Sequence, residues 1–168
     1  MGAFCKLIDF VLFFFFAVIA VSAPLIDGQT SLPSGIYPEA LVDLKKWYST
    51  EFGDYLFVEK PNFLVGLVWH ELLFLWPLSI ANIYAILAGK SWFGTSCLLF
   101  GASIVASMAA TLGELLGSGK ASDKLLMMYV PFLGFGMLAI LRGLVSSSSK
   151  TTGASSKRSA ILARKKRA

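Results

Sequence analysis

The 168 residues of this chain include two cysteines, Cys5 and Cys97, and one histidine, His70. A disulfide framework and a multi-histidine or Cys/His zinc site are excluded for want of ligands, and both cysteines read as structural thiols. The opening MGAFCK lacks the Ser or Thr that N-myristoylation requires. Neither Asn62 nor Asn82 begins an N-x-Ser/Thr sequon, so N-glycosylation is not expected. Phosphate loops, Ser/His/Asp sets and the H-E-x-x-H pattern are missing as well, and no metal or cofactor is expected. Charge is scarce: 15% of residues carry it, against about 25% in an ordinary soluble domain.

Apolar residues fill the gap. They make up 56% of the chain, and the mean hydropathy is +0.70. Four runs, about residues 8–26, 62–88, 92–117 and 124–145, approach or exceed the ~20 residues with which an α-helix crosses the hydrocarbon. They are continuous rather than alternating, which excludes a barrel, and a bilayer offers no water to an unpaired backbone. The sequence therefore predicts an all-α integral membrane protein, an antiparallel four-helix bundle over residues 1–146. A disordered basic tail, 147–168, follows.

The first run has features of a secretory signal: Lys6, an apolar stretch, and small residues at Val21-Ser22-Ala23. Asp9 breaks the usual charge pattern and PLID carries the apolar run onward, so we expect it to be kept as a span; its removal would leave three. From Arg142 onward stand eight basic residues and no acidic one, which assigns the tail to the cytosol by the positive-inside rule. Residues 27–61 hold six acids against three bases and are expected on the lumenal side. An even number of spans returns the N-terminus to the cytosol. The tail lacks interleaved aromatics, so anionic membrane lipid is the expected neighbour rather than nucleic acid. Its last four residues, Lys165-Lys166-Arg167-Ala168, have the spacing of a dilysine retrieval signal read by coat protein, which predicts an endoplasmic-reticulum membrane address.

Between the first two spans, Leu41, Leu44, Trp47, Tyr48 and Phe52 recur near helical spacing after Pro38. They predict a short amphipathic lumenal helix, a lid over the ends of the spans. The third span carries two stripes. Ala106, Ala110, Gly113 and Gly117 form a small face suited to close helix approach, within the bundle or in a homodimer. Ser103, Ser107, Thr111 and Glu114 run beside them, read as interhelical glue, with Glu114 either hydrated at the lumenal end or facing a cavity.

The residue least suited to its surroundings is Glu71, about nine residues inside the second run, where a carboxylate costs roughly 2.5–3.5 kcal/mol. Such an acid faces a bundle interior or cavity. On a regular helix Glu71, Leu75, Leu78 and Asn82 share a face, which predicts a pocket wall with sparse polar anchors. Asp27, at the lumenal end of the first span, is the expected partner. Two acids sharing a proton in an apolar pocket trap an amine cation or a hydroxyl. His70 points about 100° away from Glu71 and reads as packing or interhelical bonding.

LPSGIYPEALVDLKKWYSTEFGDYL (32–56), WHELLFLWPL (69–78), IYAILAGKSW (83–92) and YVPF (129–132) together resemble the sigma-2 receptor (transmembrane protein 97) family of EXPERA-domain membrane proteins. The resemblance implies a four-helix endoplasmic-reticulum bundle, akin to the emopamil-binding sterol isomerase, that binds sterols and cationic amphiphiles in an intramembrane cavity. By position it makes Asp27 the acid that pairs with a ligand amine and Glu71 its proton-sharing neighbour. Asp54 becomes the loop acid that holds the lid, and Tyr48 and Tyr129 line the pocket. Leu75 and His70 depart from the animal members, which carry an amide and a non-histidine residue there. The function implied is a non-enzymatic sterol receptor or regulator of sterol handling. The alternative is a Δ8–Δ7 isomerase-like enzyme in which His70 or Glu71 protonates a ring double bond.

Overall fold

A computed structural model describes residues 3–165, with side chains described for residues 4–33 and 35–145. Among the described residues seven α-helices follow in order: α1 (Ala3–Leu25), α2 (Glu39–Phe52), α3 (Tyr55–Glu59), α4 (Asn62–His70), α5 (Trp76–Leu87), α6 (Phe93–Ser118) and α7 (Asp123–Lys165). Among the described residues four helical segments are long and apolar enough to span a membrane: Phe4–Thr30, Asn62–Leu87, Phe93–Ser118 and Asp123–Val145. The chain is thus an all-helical, multi-pass membrane protein, with the short helix α2 after the first span as the sequence predicts.

α1 buries Leu12, Phe15, Phe16, Ile19 and Ala23, a stripe at helical spacing, and turns Phe10, Phe14 and Val21 outward, where lipid would lie. Phe15 stacks on Phe135 of α7 at 4.7 Å, and Phe16 meets Phe100 of α6 edge-on at 4.9 Å. These rings fill a dry half of the bundle. Pro24 cannot donate to the Ala20 carbonyl four residues back. Trp76 Nε1 donates to that carbonyl at 3.0 Å instead, which fastens α5 to α1.

A second proline shapes the second span. Pro77 lacks an N–H and its ring would strike the carbonyl of Leu73 in a regular helix. The chain widens into a π turn over Glu71–Leu75, in which the Trp76 N–H reaches five residues back to the Glu71 carbonyl. The extra residue rotates everything after it by about 100°. The predicted wall of Glu71, Leu75, Leu78 and Asn82 is therefore broken: Asn82 is fully buried and accepts from Ser96 Oγ of α6 at 2.6 Å.

α6 and α7 form the closest helix pair through glycines, but not those of the predicted stripe. A Cβ on Gly101 would lie 2.6 Å from the Gly136 carbonyl, and one on Gly143 would lie 2.6 Å from Leu98 Cβ. Ala106, Ala110, Gly113 and Gly117 face outward, and a Cβ on Gly113 or Gly117 would meet nothing within 4 Å.

Arg142 also departs from expectation. It is not a free tail base but a buried side chain whose Nε donates to Asp9 Oδ1 at 2.6 Å and Nη2 to Oδ2 at 3.0 Å, tying the first span to the last. The backbone of α7 continues as helix past Val145 to Lys165. The side chains of 146–165, and all of Lys166–Ala168 with half of the dilysine pair, lie outside the described residues.

Candidate functional site

Four spans, with Tyr48 of α2 and Phe57 of α3, line a cavity of about 230 Å3. Its wall is mostly apolar, with Ile19, Leu75 and Phe132 among its residues, and two carboxyl side chains open onto it: Asp27 and Glu71. Asp27 starts the 3₁₀ turn Asp27–Thr30, which follows directly on α1. Gly28 lets Tyr37 pack against that turn: a Cβ there would lie 2.7 Å from Tyr37 Oη, the hydroxyl that donates to the Pro24 carbonyl at 3.0 Å. Glu71 is carried by the π turn of the second span. The two acids lie within electrostatic reach of each other, and both keep part of their surface accessible.

Of the remaining residues singled out from the sequence, Tyr48 and Tyr129 also line the cavity. Asp54 does not. It is fully buried behind Tyr129, whose hydroxyl donates to Asp54 Oδ2 at 2.8 Å, while Oδ1 accepts the Leu56 N–H at 3.2 Å and caps α3. Burial raises the Asp54 carboxyl above the usual range, and the Tyr129 hydrogen bond opposes the rise. Asp54 thus joins the lid to the fourth span. Ser107 and Thr111 belong to the wall, though Thr111 Oγ1 donates locally to the Ser107 carbonyl at 3.0 Å. Glu114 is exposed and stands apart from the cavity, accepting from Tyr55 Oη at 3.4 Å. His70 is not a wall residue. Its ring stacks on Phe74 at 5.5 Å, and its buried Nδ1 has no hydrogen-bond partner among the described residues.

The predicted apolar face of α2 is displaced. Leu44 and Trp47 are exposed, whereas Leu41, Lys45, Tyr48 and Phe52 point inward. Lys45 counts in the sequence only as one of the three bases of residues 27–61. Its place at i+4 from Leu41 and i−3 from Tyr48 was the available signal. It is 8% exposed, donates from Nζ to Thr30 Oγ1 at 2.6 Å and lies 4.4 Å over the Phe57 ring. Burial pushes its ammonium down to about 8, against the pull of Asp27. The same burial raises the Tyr48 hydroxyl, helped by Asp54 and Asp27.

At the same end of the bundle Glu59 pairs with Lys120 at 2.9 Å, and Glu51 pairs with Lys124. These exposed bridges join α3 to the turn after α6 and α2 to the start of α7, and such pairs are worth at most about 1 kcal/mol each. Among the described residues no three His, Cys, Asp or Glu side chains gather closely enough to hold a metal ion.

A multi-pass helical bundle with two acids in one apolar cavity defines a class of intramembrane pocket protein. Residues 40–143 match EXPERA (EXPanded EBP superfamily), and the chain belongs to that family. It is 28% identical over 159 residues to sigma intracellular receptor 2 of Xenopus tropicalis, covering 87% of this chain and 93% of the frog protein. Sigma intracellular receptor 2 of Homo sapiens and of Macaca fascicularis are each 31% identical over 91 residues, 54% of this chain and 52% of theirs.

Proposed function

We propose that this protein binds sterols and cationic amphiphiles within the membrane of the endoplasmic reticulum and acts as a receptor or regulator of sterol handling and trafficking. The observation that carries the reading is the opening of Asp27 and Glu71 onto one apolar cavity inside the bundle. Its relatedness to proteins named as receptors supports a small ligand. At about 230 Å3 the cavity is smaller than the ~300–1,000 Å3 of sites that enclose drug-sized ligands. The polar end of a sterol enters it, and the hydrocarbon end extends outward. Asp27 and Glu71 then bind the polar head, Tyr48 and Tyr129 flank it, and Asp54 holds the lid in place through Tyr129.

The orientation with both termini cytosolic, retrieval by coat protein at Lys165 and Lys166, and a homodimer packed on the outward Ala106–Ala110 face belong to the same proposal. A sterol-isomerase activity is the second reading, because two neighbouring acids in a dry site can pass a proton to and from a ring carbon.

The test is direct binding of radiolabelled cholesterol to the full chain in phosphatidylcholine nanodiscs. Binding that is saturable in wild type and strongly weakened in Asp27→Asn and Glu71→Gln, with unchanged cooperative melting, supports the site. Equal binding by all three overturns it. Sterol profiling of isomerase-deficient yeast that expresses the chain separates binding from turnover.

A further inference from the structure

Lys45 brings a cation to the acids of the cavity. It stands on the inward face of α2 next to Tyr48, and its Nζ is fixed by Thr30 Oγ1 at 2.6 Å, on the 3₁₀ turn that Asp27 begins. The Phe57 ring, itself part of the cavity wall, lies 4.4 Å from Nζ. Asp27 and Asp54 both act on this ammonium, and Lys60, which donates to the Gln29 carbonyl at 3.4 Å, adds positive charge nearby. A hydrogen bond and a ring face hold the lysine at 8% exposure, so it cannot swing into solvent without losing both.

A carboxylate that already has a cation within reach offers less to a second one, while its capacity to accept from a hydroxyl is retained. We propose that Lys45 is the internal counter-ion of the cavity and sets its ligand class: the site prefers a neutral lipid with a hydroxyl at its buried end over the amine of the same skeleton. This rests on the cavity being the ligand site. Lys45 is a specificity-determining residue on that reading, because it acts through Asp27 on the group that touches the ligand.

The experiment compares cholesterol with 3β-aminocholest-5-ene, two probes that share a skeleton and differ in the buried group. Competition against radiolabelled cholesterol in phosphatidylcholine nanodiscs gives the affinity ratio for wild type, Lys45→Met, Lys45→Gln and Lys45→Arg. Wild type is expected to favour cholesterol. Lys45→Met removes the charge at similar length and is expected to tighten the amine by tenfold or more relative to cholesterol. Lys45→Gln, which can still donate to Thr30, carries the same expectation should the Met variant fail to fold. Lys45→Arg is expected to restore the wild-type preference. An amine-to-cholesterol ratio in the folded neutral variants equal to or below that of wild type overturns the proposal while leaving the cavity as the ligand site. Failure of both probes to bind any of the well-folded proteins removes the cavity reading and this inference with it.

Discussion

Asp9 and Asp27 lie on the same first span, eighteen residues or about five helical turns apart, and they meet opposite treatment. Asp9 receives a bidentate arginine in a half of the bundle otherwise filled by aromatic rings. Asp27 opens on a cavity with Glu71, and the nearby cation, Lys45, is anchored to a threonine hydroxyl. One half-buried acid closes a joint and the other keeps capacity in reserve. The contrast teaches that an intramembrane charge becomes a binding group when its partner is withheld from direct contact, because removing a direct partner strands the other charge.

The largest test breaks the joint. Arg142→Met leaves Asp9 uncompensated and should cost about 3–5 kcal/mol, read as a large fall in melting temperature in detergent. Asp9→Leu combined with Arg142→Met should recover much of that loss, a coupling that a double-mutant cycle measures. By contrast, Asp27→Asn should leave melting nearly unchanged while weakening cholesterol or amine binding by about 2 kcal/mol, roughly thirtyfold. Comparable melting losses in Arg142→Met and Asp27→Asn would erase the distinction between the two ends.

Glycines of α6 sharpen it further. Gly101→Ala forces a Cβ against backbone of α7 and should cost about 1–3 kcal/mol. Gly113→Ala meets open space and should be neutral or stabilising by up to about 1 kcal/mol. Equal losses would mean that the outward face of α6 is packed after all.

The smallest effect is one of pH. Folding lowers the Lys45 ammonium from its ordinary 10.5 to about 8, so between those values the unfolded chain holds more protons than the folded one. Stability should therefore rise with alkalinity, by about 1 kcal/mol between pH 7 and 9, and Lys45→Met should lack that increment. Chemical denaturation at the two pH values checks it.

The spans and the short helix α2 were legible because the patterns that specify them are local: runs of apolar side chains, and Pro38 ahead of an amphipathic segment. Asp27, Glu71, Tyr48 and Tyr129 were singled out from the sequence, and the fold brings all four to one cavity. What escaped was of three physical kinds. Asp9 and Arg142 find each other across most of the chain, and no short window contains both. A fixed 3.6-residue period places Asn82 beside Glu71, and the single π turn ahead of Pro77 undoes that. Lys45 sits on an otherwise apolar stripe, where a search for hydrophobic periodicity steps over a cation and settles on Leu44 and Trp47 instead.

The Asp9–Arg142 pair also has a consequence in time. Its partners lie 133 residues apart, and at about 5–20 residues per second the ribosome needs roughly 7–27 s to make the stretch between them. Throughout that interval the first span waits in the bilayer with an acid that nothing yet neutralises. The joint between the first and last spans cannot close until the last helix arrives, so the partner that completes it is supplied only when the fourth span has been made.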